Sequence, residues 1–205
     1  MQITAIILAG GNSRRLGRIK ALEPIDGKAL LEHVVERVQT LTDRILIVTS
    51  RENVDLLGRW KALIAVDLYP GKGPLGGIYT GLVHSSSFLN LIVACDMPFL
   101  NVKLLDYMIR LSSDFAAVVP RIGEDKLEPL HAVYSKECLS SIELQLQAGR
   151  LEAYSFFDMV RVRYVELMES KRFDPELLSF FNINRQTDLD KANLFAQRKR
   201  LLIRP

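Results

Sequence analysis

The chain alternates short, unbroken apolar runs with longer stretches in which apolar residues recur every three or four positions. The first pattern marks strands buried on both faces, and the second marks helices with one apolar side. Residues 3–9 form an apolar run stopped by Gly10-Gly11 and predict a buried strand. Residues 29–40 place Leu30, Leu31, Val34, Val35 and Val38 at helical spacing. Residues 44–49 (RILIVT) predict a second strand, 51–60 a helix and 63–66 a short third strand. A helix is predicted over 75–84, a strand over 90–95 (NLIVAC) and a helix over 102–111. Strands over 115–119 and 130–134 precede a helix over 136–147. Residues 161–166 (RVRYVE) alternate basic with apolar, as a half-exposed strand does. A short strand over 180–183 and an amphipathic helix over 187–197 complete the series. Apolar strands separated by helices predict an α/β fold: a three-layer, Rossmann-like sandwich with a mostly parallel sheet and helices on both faces. The expected organisation is one domain over 1–205, with a basic tail over 196–205.

Composition narrows this picture. With 205 residues, 48% hydrophobic and 25% charged, the chain can bury a core without disulfide or metal staples. Cys95 and Cys138 lie far apart and in no His/Cys cluster, which argues against a zinc site and fits a reducing, cytoplasmic setting. The net charge of +3 belongs to the tail, where Arg198, Lys199, Arg200 and Arg204 stand without an acid. Such a tail reads as solvated, with neither nucleic acid nor membrane as partner. No apolar run is long enough for a membrane span, and the first residues lack the basic start of a signal peptide.

In sheets of this kind, ligands bind at the carboxyl ends of the strands. Four strand ends carry unusual residues. The first is LAGGNSRRLGRIKAL, residues 8–22. It is neither a Walker A loop nor a GxGxxG turn. Gly10, Gly11 and Gly17 let backbone N–H groups converge on an anion, and Arg14, Arg15, Arg18 and an exposed Lys20 add charge, so a phosphate cradle is predicted. The second is Asp67, which either contacts a ligand or caps the following turn. The third is YPGKGPLGGIYTG, residues 69–81. Gly76 and its neighbours bring a helix start close to a ligand, or else serve a tight turn with positive φ. The fourth is ACDMPFL, where Asp96 follows a wholly apolar strand. A carboxylate there is costly unless paired, and Mg²⁺ is a natural partner beside phosphates. The alternative is a cap for the helix over 102–111.

The order LAGG, SRRLG, K, GPLGG, CDMPF, EPLHAVY and FNIN resembles the nucleotidyltransferases with a glycosyltransferase-A-like fold. Within them it looks most like the molybdenum cofactor guanylyltransferases, from residue 6 to residue 189. The resemblance implies transfer of GMP from GTP to the phosphate of molybdopterin, with release of pyrophosphate and Mg²⁺ as cofactor. It implies that Leu8, Ala9 and Gly10 contact the nucleotide through backbone, with Gly11 and Gly76 beside them. Lys20 matches the lysine on the phosphates; from the residues themselves, one or more of Arg14, Arg15 and Arg18 adds a cation, with Arg15 the catalytic candidate. Asp67 matches a nucleotide contact, Asp96 the magnesium ligand, and Asn182 and Asn184 positions near the second substrate. Three departures stand out. Lys20 follows Ile19 where the family usually has Asp, and Val48-Thr49-Ser50 occupies the place of an Asn. The stretch 147–151 (QAGRL) has one arginine where a basic pair is usual. Partners so implied are GTP, molybdopterin, and transiently the proteins that deliver or receive the cofactor. The rivals are a transferase using CTP or a sugar or alditol phosphate acceptor, and a non-catalytic nucleotide- and cofactor-binding delivery protein.

The remaining residues have simpler readings. His131 either faces the second substrate or is a satisfied structural histidine, and His33 reads as exposed. Cys95 should pack in the core. Phe156-Phe157 and Phe180-Phe181 read as core or dimer surface.

Overall fold

A computed structural model describes residues 2–10, 19–58 and 60–203, with side chains through residue 197. The strands are β1 (Ile3–Leu8), β2 (Pro24–Ile25), β3 (Lys28–Ala29), β4 (Ile45–Thr49), β5 (Leu63–Val66), β6 (Leu89–Ala94), β7 (Ala117–Arg121), β8 (His131–Ser135) and β9 (Val162–Glu166). The helices are α1 (Leu30–Val38), α2 (Val54–Leu57), α3 (Gly73–His84), α4 (Val102–Leu111), α5 (Cys138–Gln147), α6 (Leu167–Lys171) and α7 (Gln186–Ile203). Seven strands form one sheet in the order β5-β4-β1-β6-β8-β7-β9. β1, β4, β5 and β6 run parallel, β8 is antiparallel to β6 and β7, and β7 pairs parallel with β9. The reversal at β8 matters for the site. Val93 pairs with His131, so the residues entering β8 share an edge with those leaving β6.

The period-2 geometry of β1 divides the core. Ala5 and Ile7 face a layer built from α1 and α4, with Leu31, Val35, Leu104 and Met108. Ile6 and Leu8 face α3 and α5, with Leu75, Ile78, Ile142 and Leu146. The mostly parallel α/β sandwich predicted from the alternating pattern is therefore present. Cys95 and Phe156-Phe157 are buried, as expected.

Some expectations need correction. Residues 180–183 are not a strand. A 3-10 turn, Leu178–Phe180, is followed by an irregular segment that carries Phe181 and Ile183 into a third apolar cluster. There they pack side chain to side chain against Ile25 and Leu30 around the hairpin, Phe99, and Leu189 and Ala192 of α7, while β2 pairs with β3. The helix expected over 51–60 is a 3-10 turn followed by the four residues of α2. His33 is half-buried, and its Nε2 lies 2.9 Å from the Ile25 carbonyl, which accepts from it. The β2–β3 hairpin was not anticipated. Its turn is Asp26-Gly27, with φ of 50° and 80°, the left-handed pair that tight hairpins demand.

Candidate active site

Four strand ends meet on the carboxyl edge, held by backbone hydrogen bonds. Cys95 N–H donates to the Leu8 carbonyl (3.1 Å), Ala9 N–H to Val48 (2.8 Å) and Asp67 N–H to Thr49 (2.8 Å). The Thr49 hydroxyl donates to the Ala9 carbonyl at 3.2 Å. Parallel register makes these links possible: β1 and β6 end level at Leu8 and Ala94, and β4 and β5 end level at Thr49 and Val66, one residue further on. Leu8 and Ala9 are thereby buried, while Gly10 is exposed. A carbonyl oxygen has two lone pairs, so the Ala9 carbonyl can accept a second hydrogen bond from a ligand. Gly11, Arg14, Arg15, Gly17 and Arg18 lie outside the described residues.

Lys20 and Asp96 come together across 76 positions of sequence as an ion pair. Their side chains keep 20% and 16% of their surface. Lys20 is thus mostly covered, not exposed as its sequence context suggested. Its Nζ also donates to Asn184 Oδ1 at 2.8 Å. Asp96 does not cap α4; that role falls to Asn101, whose side chain accepts from Lys103 and Leu104 N–H. Asp96 Oδ1 is buried without a hydrogen-bond partner among the described residues. Ile183 N–H donates to the Asp96 carbonyl at 3.1 Å. An orphaned carboxylate oxygen beside a lysine is a place where a hard cation fits. Among the described residues no three His, Cys, Asp or Glu side chains form a metal cluster. The Asp96 Oδ1 has the chemistry of a Mg²⁺ donor, since that cation takes one or two carboxylates and completes its shell with water and phosphate oxygens.

The other site residues separate into several roles. Asp67 is occupied in the fold, since its Oδ1 accepts from Tyr69 N–H and from the Thr80 hydroxyl, both at 3.0 Å. Gly76 is packed against Tyr69. A Cβ there would lie 2.9 Å from Tyr69 Cβ and 3.0 Å from its carbonyl, so only glycine fits. Asn182 bonds the Phe180 carbonyl at 3.4 Å and does not reach Lys20 in any hydrogen bond described. The sequence reading passed over Glu128. It is buried just before β8, with Lys126 Nζ 3.7 Å from its Oε1. Burial raises its carboxyl above the ordinary range; Lys126 opposes this and the nearby Asp96 charge adds to it. A carboxylate between Leu127 and Pro129, directly before an apolar strand, was the available signal.

His131 is fully buried, and neither ring nitrogen has a partner among the described residues. No described residue therefore satisfies its ring nitrogens. Its ring meets Phe180 edge-on at 4.9 Å between centroids. Burial lowers its pKa from 6.5 to about 4, with the Asp174 charge pulling weakly the other way. The folded state thus binds this proton less readily than the unfolded chain. The contribution of neutral His131 is complete above pH 6.5 and is lost as pH falls towards about 4. Urea midpoints of the wild type should fall more between about pH 7 and about pH 5 than those of His131→Leu. Equal falls would assign the acid sensitivity to another group.

A family model described as the MobA-like NTP transferase domain matches residues 5–162. A molybdenum cofactor guanylyltransferase of Desulfosudis oleivorans is 38% identical over 191 residues, covering 93% of this chain and 94% of its own. A probable molybdenum cofactor guanylyltransferase of Pelotomaculum thermopropionicum is 37% identical, with 98% and 96% covered. Among solved structures, the molybdopterin-guanine dinucleotide biosynthesis protein A of Archaeoglobus fulgidus superposes with a TM-score of 0.83 at 29% identity, covering 95% of this chain and 99% of that one. The sheet, with Lys20 and Asp96 across its carboxyl edge, is the frame of a nucleotidyltransferase. The chain belongs to the MobA-like NTP transferase family. Its place among enzymes sets aside the non-catalytic delivery protein.

Proposed function

We propose that the protein transfers GMP from GTP to the terminal phosphate of molybdopterin. A phosphate oxygen of the acceptor attacks the α-phosphorus of GTP. The bond from that phosphorus to the α–β bridging oxygen breaks, and pyrophosphate leaves with the electron pair. The observation that carries this reading is the Lys20–Asp96 pair on the ligand-binding edge, a cation beside a carboxylate whose Oδ1 has no described partner. The guanylyltransferase names of the relatives support the guanine nucleotide and the acceptor.

The acceptor is already an anion, so the reaction needs no side-chain nucleophile. This accords with the two cysteines, which are both buried with thiols pushed up to about 12, chiefly by burial. Catalysis is then positioning and charge neutralisation. Lys20 would hold the triphosphate oxygens, and Arg15 is proposed as a second cation. Asp96 would hold Mg²⁺ through its orphaned Oδ1, with Glu128 adding to the negative field there. When bound, Mg²⁺ would supply charge neutralisation on phosphate oxygens.

Base choice is proposed to rest on backbone. Guanine presents N1–H and a 2-amino group, which call for acceptors. The Ala9 carbonyl, aimed by the Thr49 hydroxyl, is one. Unmatched polar groups in a buried pocket discriminate strongly. In a competition of GTP, CTP, ATP and UTP with molybdopterin, the guanine dinucleotide should dominate by at least about tenfold. A dominant cytosine product would replace GTP by CTP and leave the site otherwise intact.

A further inference from the structure

The segment after β9 lies beyond the residues matched by the family model, yet it reaches the centre of the site. Asn184 is tethered on both sides. Before it, Ile183 is fully buried among Ile25, Leu30, Leu189 and Ala192, and its N–H donates to the Asp96 carbonyl. After it, Asp188 Oδ2 accepts from the N–H of Asn184 and of Arg185, both at 2.9 Å. The first of these bonds is the largest cause holding the Asp188 carboxyl below its ordinary range. The side chain of Asn184 is exposed on this fixed backbone, and its Oδ1 accepts from Lys20 Nζ at 2.8 Å.

Among the described residues, Lys20 thus meets two acceptors of different kinds. Asp96 neutralises the ammonium, and it is the same group that is proposed to take the cation. Asn184 holds the ammonium through a neutral oxygen and leaves its charge available to an anion. A lysine ammonium has three donors, so it can keep the amide contact while turning a second donor to phosphate. We infer that Asn184 is a positioning residue on the nucleotide side of the reaction: it fixes the Lys20 ammonium for the triphosphate, through a neutral acceptor. This places its effect on GTP rather than on the acceptor substrate, where the resemblance put it. The inference rests on the reading of Lys20 as a phosphate contact.

The test is a double-mutant cycle in GTP affinity, measured by calorimetry with Mg²⁺ and without the acceptor. Asn184→Ala should weaken GTP about tenfold, the scale of a hydrogen bond to a charged group. In a Lys20→Ala background the same change should have almost no further effect. Asn184→Asp keeps an acceptor oxygen but neutralises the ammonium, so it should bind GTP no better than Asn184→Ala. In steady state, Asn184→Ala should raise KM for GTP and leave KM for molybdopterin unchanged. Because Asn184 is exposed, the melting temperature should hold. Wild-type GTP affinity in Asn184→Ala or Asn184→Asp overturns the inference alone, as would losses that add fully with Lys20→Ala. Wild-type affinity in Lys20→Ala overturns the phosphate reading and the inference together.

Discussion

Asp96→Asn should lower turnover by at least about a hundredfold, the scale of losing preorganised electrostatic stabilisation. The substitution keeps the shape of the side chain and removes the charge that would hold the cation. It also releases Lys20 from its ion pair, and that gives the result a second signature. GTP affinity measured without Mg²⁺ should stay at wild-type level or rise, because the ammonium no longer has a competing carboxylate. Turnover and Mg²⁺-free affinity should therefore move in opposite directions. Near-wild-type turnover at saturating Mg²⁺ would remove Asp96 from the metal role. A fall in both quantities together with the melting temperature would make the pair a structural clamp.

Lys20→Ala should weaken GTP by at least about tenfold, from the loss of a charged contact to phosphate. Its partly covered side chain means that some stability is lost too, since Asp96 is left without its cation. Calorimetry on the folded variant separates the two effects. A lower melting temperature with unchanged GTP affinity would mean that the lysine serves the fold and that the phosphate cradle lies elsewhere.

The strands and most helices were legible because their signals are local. After Asn90, the run LIVAC has no polar residue to place on a solvent face, so burial on both faces follows from the run itself. The VKLLDYMIRL helix repeats at helical spacing, and its observed bounds match the expectation. The segment 180–183 misled because FFNI has strand-like composition, whereas Phe181 and Ile183 pack against the sequence-distant β2–β3 hairpin and the helix that follows, α7. The β2–β3 hairpin went unread although Asp26-Gly27 is a turn signal in its own right. Within the site, Asp96 was identifiable because it ends an apolar strand. Its ion pair with Lys20 and the Asn184 contact join residues 76 and 164 positions apart, and only the fold brings them together. Glu128 was missed for the same reason: β8 runs against β6, which sets the start of one beside the end of the other.

Label transfer from α-phosphate-labelled GTP tests the central claim most directly. Purified protein would be incubated with the labelled GTP, molybdopterin and Mg²⁺. The account predicts that label passes into a molybdopterin-guanine dinucleotide, with one pyrophosphate released per dinucleotide formed and none without molybdopterin. Label that stays in GTP while molybdopterin remains unmodified, under conditions where GTP binding is demonstrated, would contradict it.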